Sequence, residues 1–388
     1  MNSLATFEPQ SGHDLPPRIL VADDQVHVLD ALQLLLKNQG YCTETVSDPR
    51  RVLQALASEQ FDLVLMDMNY ERDTTAGAEG LELVSQIREK DKNVPVLVMT
   101  AWGSVEVAVE AMRRGASDFV QKPWENQQLL GKVQAQVERG HALRRAQSFQ
   151  EDELQQAQDI QKKLFPKQLP EIADYEIAAM TQPIRFVGGD YYSVVRISES
   201  QTVLCIADVA GKGMPAALLM SSMQAALKPL IWQNLPPREV CQRLNRTLCE
   251  ITPLGKFISL FYGVLNNKEH RLDYCNAGHN SPILVRNQGM TSELNAAGAV
   301  LGFFPDWVYE QNDIEIKHGD RLLLFTDGLV EAGDGDGDPF GERNIAAVAQ
   351  ENPFHNAGQL LDELMRRASQ HCGGQFQDDA SAIVLRAI

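Results

Sequence analysis

Two sets of aspartates in this 388-residue chain stand where they could handle phosphate. In the first third, Asp23 and Asp24 end the run RILVADD, Asp67 closes FDLVLMD, Thr100 stands at the end of VPVLVMTA, and Lys122-Pro123 closes DFVQKP. Phosphorylating a carboxylate needs an acceptor on a rigid strand end, a hard cation to neutralise the phosphoryl oxygens, and a lysine or hydroxyl to answer the added charge. Mg2+ commonly takes one or two carboxylates together with phosphate oxygens. One aspartate after a strand is most often a turn or cap residue; several in order on successive strand–helix units are a different matter.

In the second half, Asp190 follows Gly188-Gly189, and Asp208 closes TVLCIADV just before the Ala210–Gly213 turn. Asp327 closes RLLLFTD, a run that reads as a strand, and Asp378-Asp379 precede the last apolar run. Strands hold backbone rigidly, and glycines let it approach a ligand closely. Carboxylates gathered at strand ends without a matching basic cluster repel one another unless divalent cations sit among them, and oxygen-only ligands favour Mg2+ or Mn2+ over zinc. Two such ions about 3.5–4 Å apart activate a water and clamp phosphoryl oxygens for an in-line displacement. No cysteine lies in a phosphate-cradling loop, so direct attack by water is the expected route.

The elements that must position these groups differ between the halves. From Arg18 to about Val137, short apolar strands alternate with amphipathic helices such as VLDALQLLLKNQG, stopped by Gly40, and SVEVAVEAMRRGA, stopped by Gly115. That alternation predicts a doubly wound parallel (βα)5 sheet, whose ligands sit at the carboxyl ends of the strands. From Gln127 to Leu164 the composition turns helical, with Ala142, Ala146, Phe149, Ala157, Ile160 and Leu164 at three- and four-residue steps, interrupted at Glu153. A linker over 138–168 follows, either a connecting helix or a two-chain coiled coil, ended by Pro166 and Pro170. Beyond Glu171, strands in direct succession from Phe257 to Val285 predict antiparallel pairing. The α/β multidomain chain therefore ends, over 169–388, in an α+β sandwich of antiparallel sheets flanked by helices.

The first segment resembles CheY-like receiver domains over Arg18 to about Val137. The resemblance implies Asp67 as phosphoacceptor, Asp23 and Asp24 with Asp67 as Mg2+ ligands, Thr100 and Lys122 as phosphate contacts, and Phe119 as the switch aromatic. The loop after Asp67 (MNYERDTTAGAEG) is longer than usual and lacks the common Met-Pro. In the second segment, GGDYY, ADVAGKGMPAALLMS, FISLFYGVL, NAGHNSPIL, FTDGLVEA and QDDAS resemble the PPM-type, protein phosphatase 2C-like serine/threonine phosphatases of the SpoIIE and RsbU branch. Coverage runs from about Ala157 to Ile388, and IQKKLFPKQLP is also typical of that branch. This match implies that Asp208 bridges two Mn2+ or Mg2+ ions, that Asp327 and Asp378 hold the first, and that Asp379 is a neighbour or substitute. Asp190 would support the cluster, and the Val209 carbonyl would reach the second ion. Ala210 and Ser381 stand where the family often has Ser and Thr.

The resemblance implies a two-component response regulator, served by a cognate sensor histidine kinase, that dephosphorylates phosphoserine or phosphothreonine on a partner of the anti-sigma-factor antagonist type. The alternative is a non-catalytic phosphatase-like regulator that sequesters a signalling partner; loss of a core aspartate would favour it, and none is lost. A net charge of −17 argues against nucleic acid as a partner. No run of about 18 apolar residues implies a membrane span, and residues 1–17 read as a disordered tail rather than a secretory signal. Cys42, Cys205, Cys241, Cys249, Cys275 and Cys372 form no Cys-x-x-Cys pair and read as reduced thiols, so a cytoplasmic location is expected. A homodimer through the helical linker is the expected assembly.

Three other features invite chemistry. Gly211-Lys212-Gly213 lacks P-loop spacing and reads as a turn opening a helix, with substrate phosphate contact as the sharper alternative. His279 reads as a hydrogen-bonded loop histidine, with general-acid catalysis as the alternative. The acidic run 333–338 places Pro339 and Ile345 where a calcium loop requires Gly and Glu, and reads as a flexible acidic loop.

Overall fold

The computed structural model describes residues 16–70, 77–101, 105–295, 298–333 and 338–388. Most of the expected N-terminal tail, part of the loop after Asp67 and most of the acidic run 333–338 lie outside the described residues. The chain divides into two compact units, Met1–Glu151 and Asp152–Ile388.

In the first unit, β1 (Arg18–Ala22), α1 (Val26–Lys37), β2 (Cys42–Val46), α2 (Pro49–Ser58), β3 (Leu63–Asp67), α3 (Ala78–Lys90), β4 (Val96–Thr100), α4 (Val105–Arg113) and β5 (Asp118–Gln121) alternate as expected. Helix α5 begins at Asn126 and runs unbroken to Lys162, across most of the expected linker. All strand pairs are parallel, in the order β2-β1-β3-β4-β5. The chain reverses its direction of travel between β1 and β3, and such a switch point opens a crevice at the carboxyl ends of those strands. Alternation across the sheet sends Leu20, Val64 and Val98 into one buried layer and Ile19, Leu65 and Met99 into the other. Burial on both faces explains why these strands read as continuous apolar runs. Gly40 and Gly115 stop their helices with φ of 84° and 105°, a region that favours glycine.

The second unit continues with β6 (Tyr175–Gln182), β7 (Tyr191–Arg196), β8 (Gln201–Val209), α6 (Met214–Ile231), α7 (Pro237–Ile251), β9 (Ile258–Asn266), β10 (Arg271–Ala277), β11 (Ile283–Val285), β12 (Thr291–Glu293) and β13 (Asn312–Glu315). It ends with β14 (Arg321–Phe325), α8 (Asp327–Val330), α9 (Gly341–Glu351), α10 (Ala357–His371) and β15 (Ala380–Ala387). Two antiparallel sheets form, ordered β13-β10-β9-β8-β7 and β12-β11-β14-β15-β6. Leu204, Ile206, Phe261, Leu322, Leu324, Ile383 and Leu385 fill the layer between them. On the outer faces, Val203, Cys205 and Ala207 pack under α6 and α7, while Leu323, Phe325 and Val384 pack under α9 and α10. The period of two along each strand is what allows one sequence to serve both layers.

Register brings distant aspartates to one end of this sandwich. Tyr191 of β7 pairs with Ala207 of β8, so the next step outward sets Asp190 beside Asp208. In the other sheet Phe325 pairs with Ala382, so Asp327 and the Asp378-Asp379 pair leave their strands on the same edge. Asp327 is not a strand residue: β14 stops at Phe325, and Asp327 opens the one-turn helix α8.

Two candidate acidic sites

At the switch point of the parallel sheet, Asp23 and Asp67 are almost wholly buried, as is Thr100. Lys122 Nζ lies 2.7 Å from Asp23 Oδ2 and 3.1 Å from Asp67 Oδ2. Asp67 Oδ1 accepts the Met68 amide at 2.9 Å. Burial pushes the Asp67 carboxyl up from its usual range, and Lys122 opposes that shift. Asp23, Asp24 and Asp67 offer three oxygens within 4.8 Å of one another, a spacing and chemistry that suit a hard cation. Phe119 is more than a third exposed on β5, with Lys132 Nζ 5.3 Å from its ring centre.

The second site stands on the sandwich edge. Asp190 is buried; its Oδ2 accepts the Thr326 hydroxyl at 2.8 Å, and that hydroxyl oxygen accepts the Ser381 amide at 2.9 Å. The other oxygen, Oδ1, is buried without a protein partner. Burial and the adjacent Asp208 carboxylate raise the Asp190 pKa well above the usual range. Asp208 is pushed up to about 7, first by burial and then by Asp327 and Asp378. Asp327 is raised by burial, Asp378 and Glu331. Asp379 is raised by burial, although its Oδ1 accepts the Ile184 amide at 2.9 Å and its Oδ2 the Gly189 amide at 2.7 Å. The Val209 carbonyl lies against Gly189, where a Cβ would come within 3.0 Å of its oxygen.

These groups are near enough to penalise one another's ionisation, while the receiver trio is the group of three ligand oxygens within 4.8 Å found among the described residues. An orphaned buried oxygen and mutually repelling carboxylates are what an all-oxygen divalent cation site presents, so the residues present fit Mn2+ or Mg2+.

Lys212 Nζ sits 2.8 Å from Asp378 Oδ2 and donates to the Gln377 carbonyl, so its ammonium offsets part of the acidic charge. His279 is buried with Nδ1 2.8 Å from Ser259 Oγ, and its backbone is bracketed by the Asn276 side chain. Burial pushes its imidazole down to about 4. It is a hydrogen-bonded loop histidine just past β10, joined to Ser259 of β9, which pairs with Asp208 of β8 in register. Because its folded pKa is depressed, the stability it contributes is present above the ordinary value of about 6.5 and lost as pH falls towards 4. His279→Asn should therefore narrow the difference between the denaturation midpoints at pH 7 and pH 5; an unchanged difference would contradict this placement.

Two site residues gave little sign of themselves in sequence. Thr326 adjoins Asp327 in the FTDG run but bonds to Asp190, and Gln161 lies in IQKKLFPKQLP with both ends of its amide on Gly188.

Residues 198–388 match the family model for stage II sporulation protein E (SpoIIE), and residues 19–134 match the response regulator receiver domain. The chain is 32% identical over 246 residues to phosphoserine phosphatase RsbU of Bacillus subtilis, covering 63% of this chain and 72% of RsbU. This chain belongs to the SpoIIE family. It joins a receiver domain to a SpoIIE-type protein serine/threonine phosphatase domain. The receiver is 35% identical over 125 residues to response regulator MprA of Mycolicibacterium vanbaalenii, covering 32% of this chain and 52% of MprA. The SiaA-PP2C domain of Pseudomonas aeruginosa superposes on the SpoIIE-type fold with a TM-score of 0.55 at 20% identity, covering 62% of this chain and 98% of that domain. Among the described residues, no helix of this SpoIIE-family chain is long and apolar enough to cross a membrane.

Proposed function

We propose that this chain is a response regulator that hydrolyses phosphoserine or phosphothreonine on a partner protein of the anti-sigma-factor antagonist class, and that phosphorylation of Asp67 by a cognate sensor histidine kinase controls it. The observation that carries the enzymatic reading is the sandwich-edge cluster, in which Asp190 keeps a buried oxygen without a protein partner while Asp208 is raised to about 7 by burial and then by its acidic neighbours. Asp208, Asp327 and Asp378, with Asp190 and the Val209 carbonyl, would hold two Mn2+ or Mg2+ ions, and Asp379 would anchor the neighbouring loop through its two amide partners. Bound cations supply Lewis-acid activation of water and charge neutralisation of the phosphoryl group. Asp208, on a rigid strand, fixes the geometry of attack, while Thr326 orients Asp190. Lys212, exposed beside Asp378, is placed to answer phosphate charge. In the receiver, Asp23, Asp24 and Asp67 would hold Mg2+, with Thr100 and Lys122 meeting the added phosphoryl and Phe119 reporting it.

The full organisation follows as a receiver over 18–137, a helical linker over 138–168 and a phosphatase domain over 169–388, in a cytoplasmic homodimer. Support for pairing comes from α5, where Phe149 and Ile160 are 65% and 64% exposed. Leu164, by contrast, packs against the core of the second unit and does not continue that stripe.

The test is hydrolysis of a small aryl phosphate and of a phosphoserine peptide by the purified full chain. Both should proceed with Mn2+ and stop with chelator; failure of both would overturn the enzymatic reading. Beryllofluoride, which mimics the phosphoryl group on Asp67, should change the rate roughly fivefold or more in wild type and not in Asp67→Ala. Equal rates with and without it in wild type would contradict control through Asp67.

A further inference from the structure

The buried amide of Gln161 makes a paired contact that the phosphatase chemistry above does not use. Gln161 lies in the last turn of α5, is 8% exposed, and donates from Nε2 to the Gly188 carbonyl at 2.8 Å while its Oε1 accepts the Gly188 amide at 3.1 Å. A primary amide presents donor and acceptor side by side, so it pairs with one residue's N–H and C=O as a neighbouring strand would. The loop it grips is the one that builds the site. Gly188 abuts Asp379, whose Oδ2 would lie 2.5 Å from a Cβ there. The next amide, Gly189 N, donates to that same oxygen, and Asp190 follows directly. Phe165, just beyond the helix, rests 5.7 Å and 5.3 Å, centre to centre, from the rings of Tyr191 and Tyr192 on the other side of Asp190. A cavity of about 110 Å³ separates these attachments, lined by Gln158, Gln161, Phe165, Phe186, Asp190 and Asp379 among others. The last turn of α5 and the segment just past it therefore touch the chain on either side of Asp190, Gln161 at Gly188 and Phe165 at the start of β7, beside this cavity.

We propose that Gln161 is a positioning residue of the phosphatase: its amide sets the Gly188–Asp190 loop, and through it the aim of Asp379 and Asp190, so that a displacement of the last turn of α5 is felt directly at the aspartates. This rests on the reading of the cluster as a divalent cation site. The side chain has to be glutamine. Glutamate would set a carboxylate against the Gly188 carbonyl and leave it without a donor, whereas methionine keeps the length but offers neither function.

The test compares wild type with Gln161→Met and Gln161→Glu in the full chain, using Mn2+ titration calorimetry, aryl phosphate kinetics and amide hydrogen exchange. Outer groups that orient metal ligands are typically worth about 10–100-fold in affinity or activity. Gln161→Met should weaken Mn2+ binding at the phosphatase site about tenfold and lower kcat by a similar factor, with KM within about threefold. Gln161→Glu should be at least as impaired. A merely structural role would lower the thermal midpoint and the active fraction but leave Mn2+ affinity as in wild type, and that result would overturn the proposal. If neither variant folds, exchange in the wild type decides: the Gly188 and Gly189 amides should be protected in the metal-free chain, and exchange at the rate of an open loop would overturn the proposal. Wild type that neither binds Mn2+ nor hydrolyses phosphate refutes the enzymatic reading instead, so the two failures are distinguishable.

Discussion

Asp208→Asn should abolish Mn2+-dependent phosphate release and, in the metal-free chain at pH 7.5, make the protein more stable. Asp208 is raised to about 7 by burial and by neighbouring carboxylates, whereas an aspartate in the unfolded chain titrates near 3.9. The folded state thus binds a proton that the unfolded state has released between those values, and linkage makes stability fall as pH rises through that window. Above it the penalty is complete, on the order of 2–4 kcal/mol at about 1.4 kcal/mol per pH unit. The neutral amide escapes it. Thermal melts with chelator should show Asp208→Asn above wild type at pH 7.5 and the gap closing by pH 4.5. Saturating Mn2+ should reverse the order, because a ligand that binds only the folded state stabilises it by mass action. A variant that is less stable than wild type under chelation at pH 7.5 would contradict the electrostatic account.

Gly328→Ala should be nearly as damaging, for a steric reason. Gly328 lies in the first turn of α8, where an alanine would ordinarily gain up to about 1 kcal/mol from helix propensity. Its Cβ, however, would fall 2.1 Å from the Asp379 carbonyl oxygen, 2.8 Å from that carbonyl carbon and 3.0 Å from the carbonyl carbon of Asp378. These are backbone atoms and cannot swing aside, so either Asp327 or the Asp378-Asp379 pair must move. Overpacking of this kind costs about 1–3 kcal/mol or more and outweighs the propensity gain. The expected result is a drop in Mn2+-dependent activity of about 10–100-fold, the range for displaced support of metal ligands, together with a lower melting temperature. Gly131→Ala is the control: it is a helical glycine with nothing within 4 Å of its Cβ, and it should melt at or slightly above wild type. Full activity in Gly328→Ala would show that the carboxylates need not stay where the two sheets put them.

What the sequence made legible, and what it hid, follows from the range of the interactions. Strands such as β1, β3 and β8 announce themselves because burial on both faces demands unbroken apolar runs, and each aspartate at their ends inherits that clarity. Edge strands do not. Residues of β2 and β6 are largely half-exposed, their composition is mixed, and only pairing with β1 and β15 makes them strands. Helix α5 was legible as a helix, but its end and its faces were not: Phe149 and Ile160 lie exposed, while Leu164 falls beyond the last helical residue, Lys162, and packs against the core of the second unit. The aspartates of the second site were identifiable one by one, yet their supports were not. Thr326 reaches Asp190 across 136 residues, and the Gly189 amide reaches Asp379 across 190. No local pattern encodes such pairs; register between strands does.

The most direct measurement is Mn2+ titration of the metal-free full chain by calorimetry at pH 7.5, repeated in buffers of different ionisation enthalpy and set beside Asp208→Asn. Buried, mutually repelling carboxylates must lose protons as cations enter. Wild type should therefore bind Mn2+ at sites that Asp208→Asn lacks, with release of protons whose heat scales with the buffer. Identical isotherms for the two proteins, or binding that releases no proton, would contradict the account.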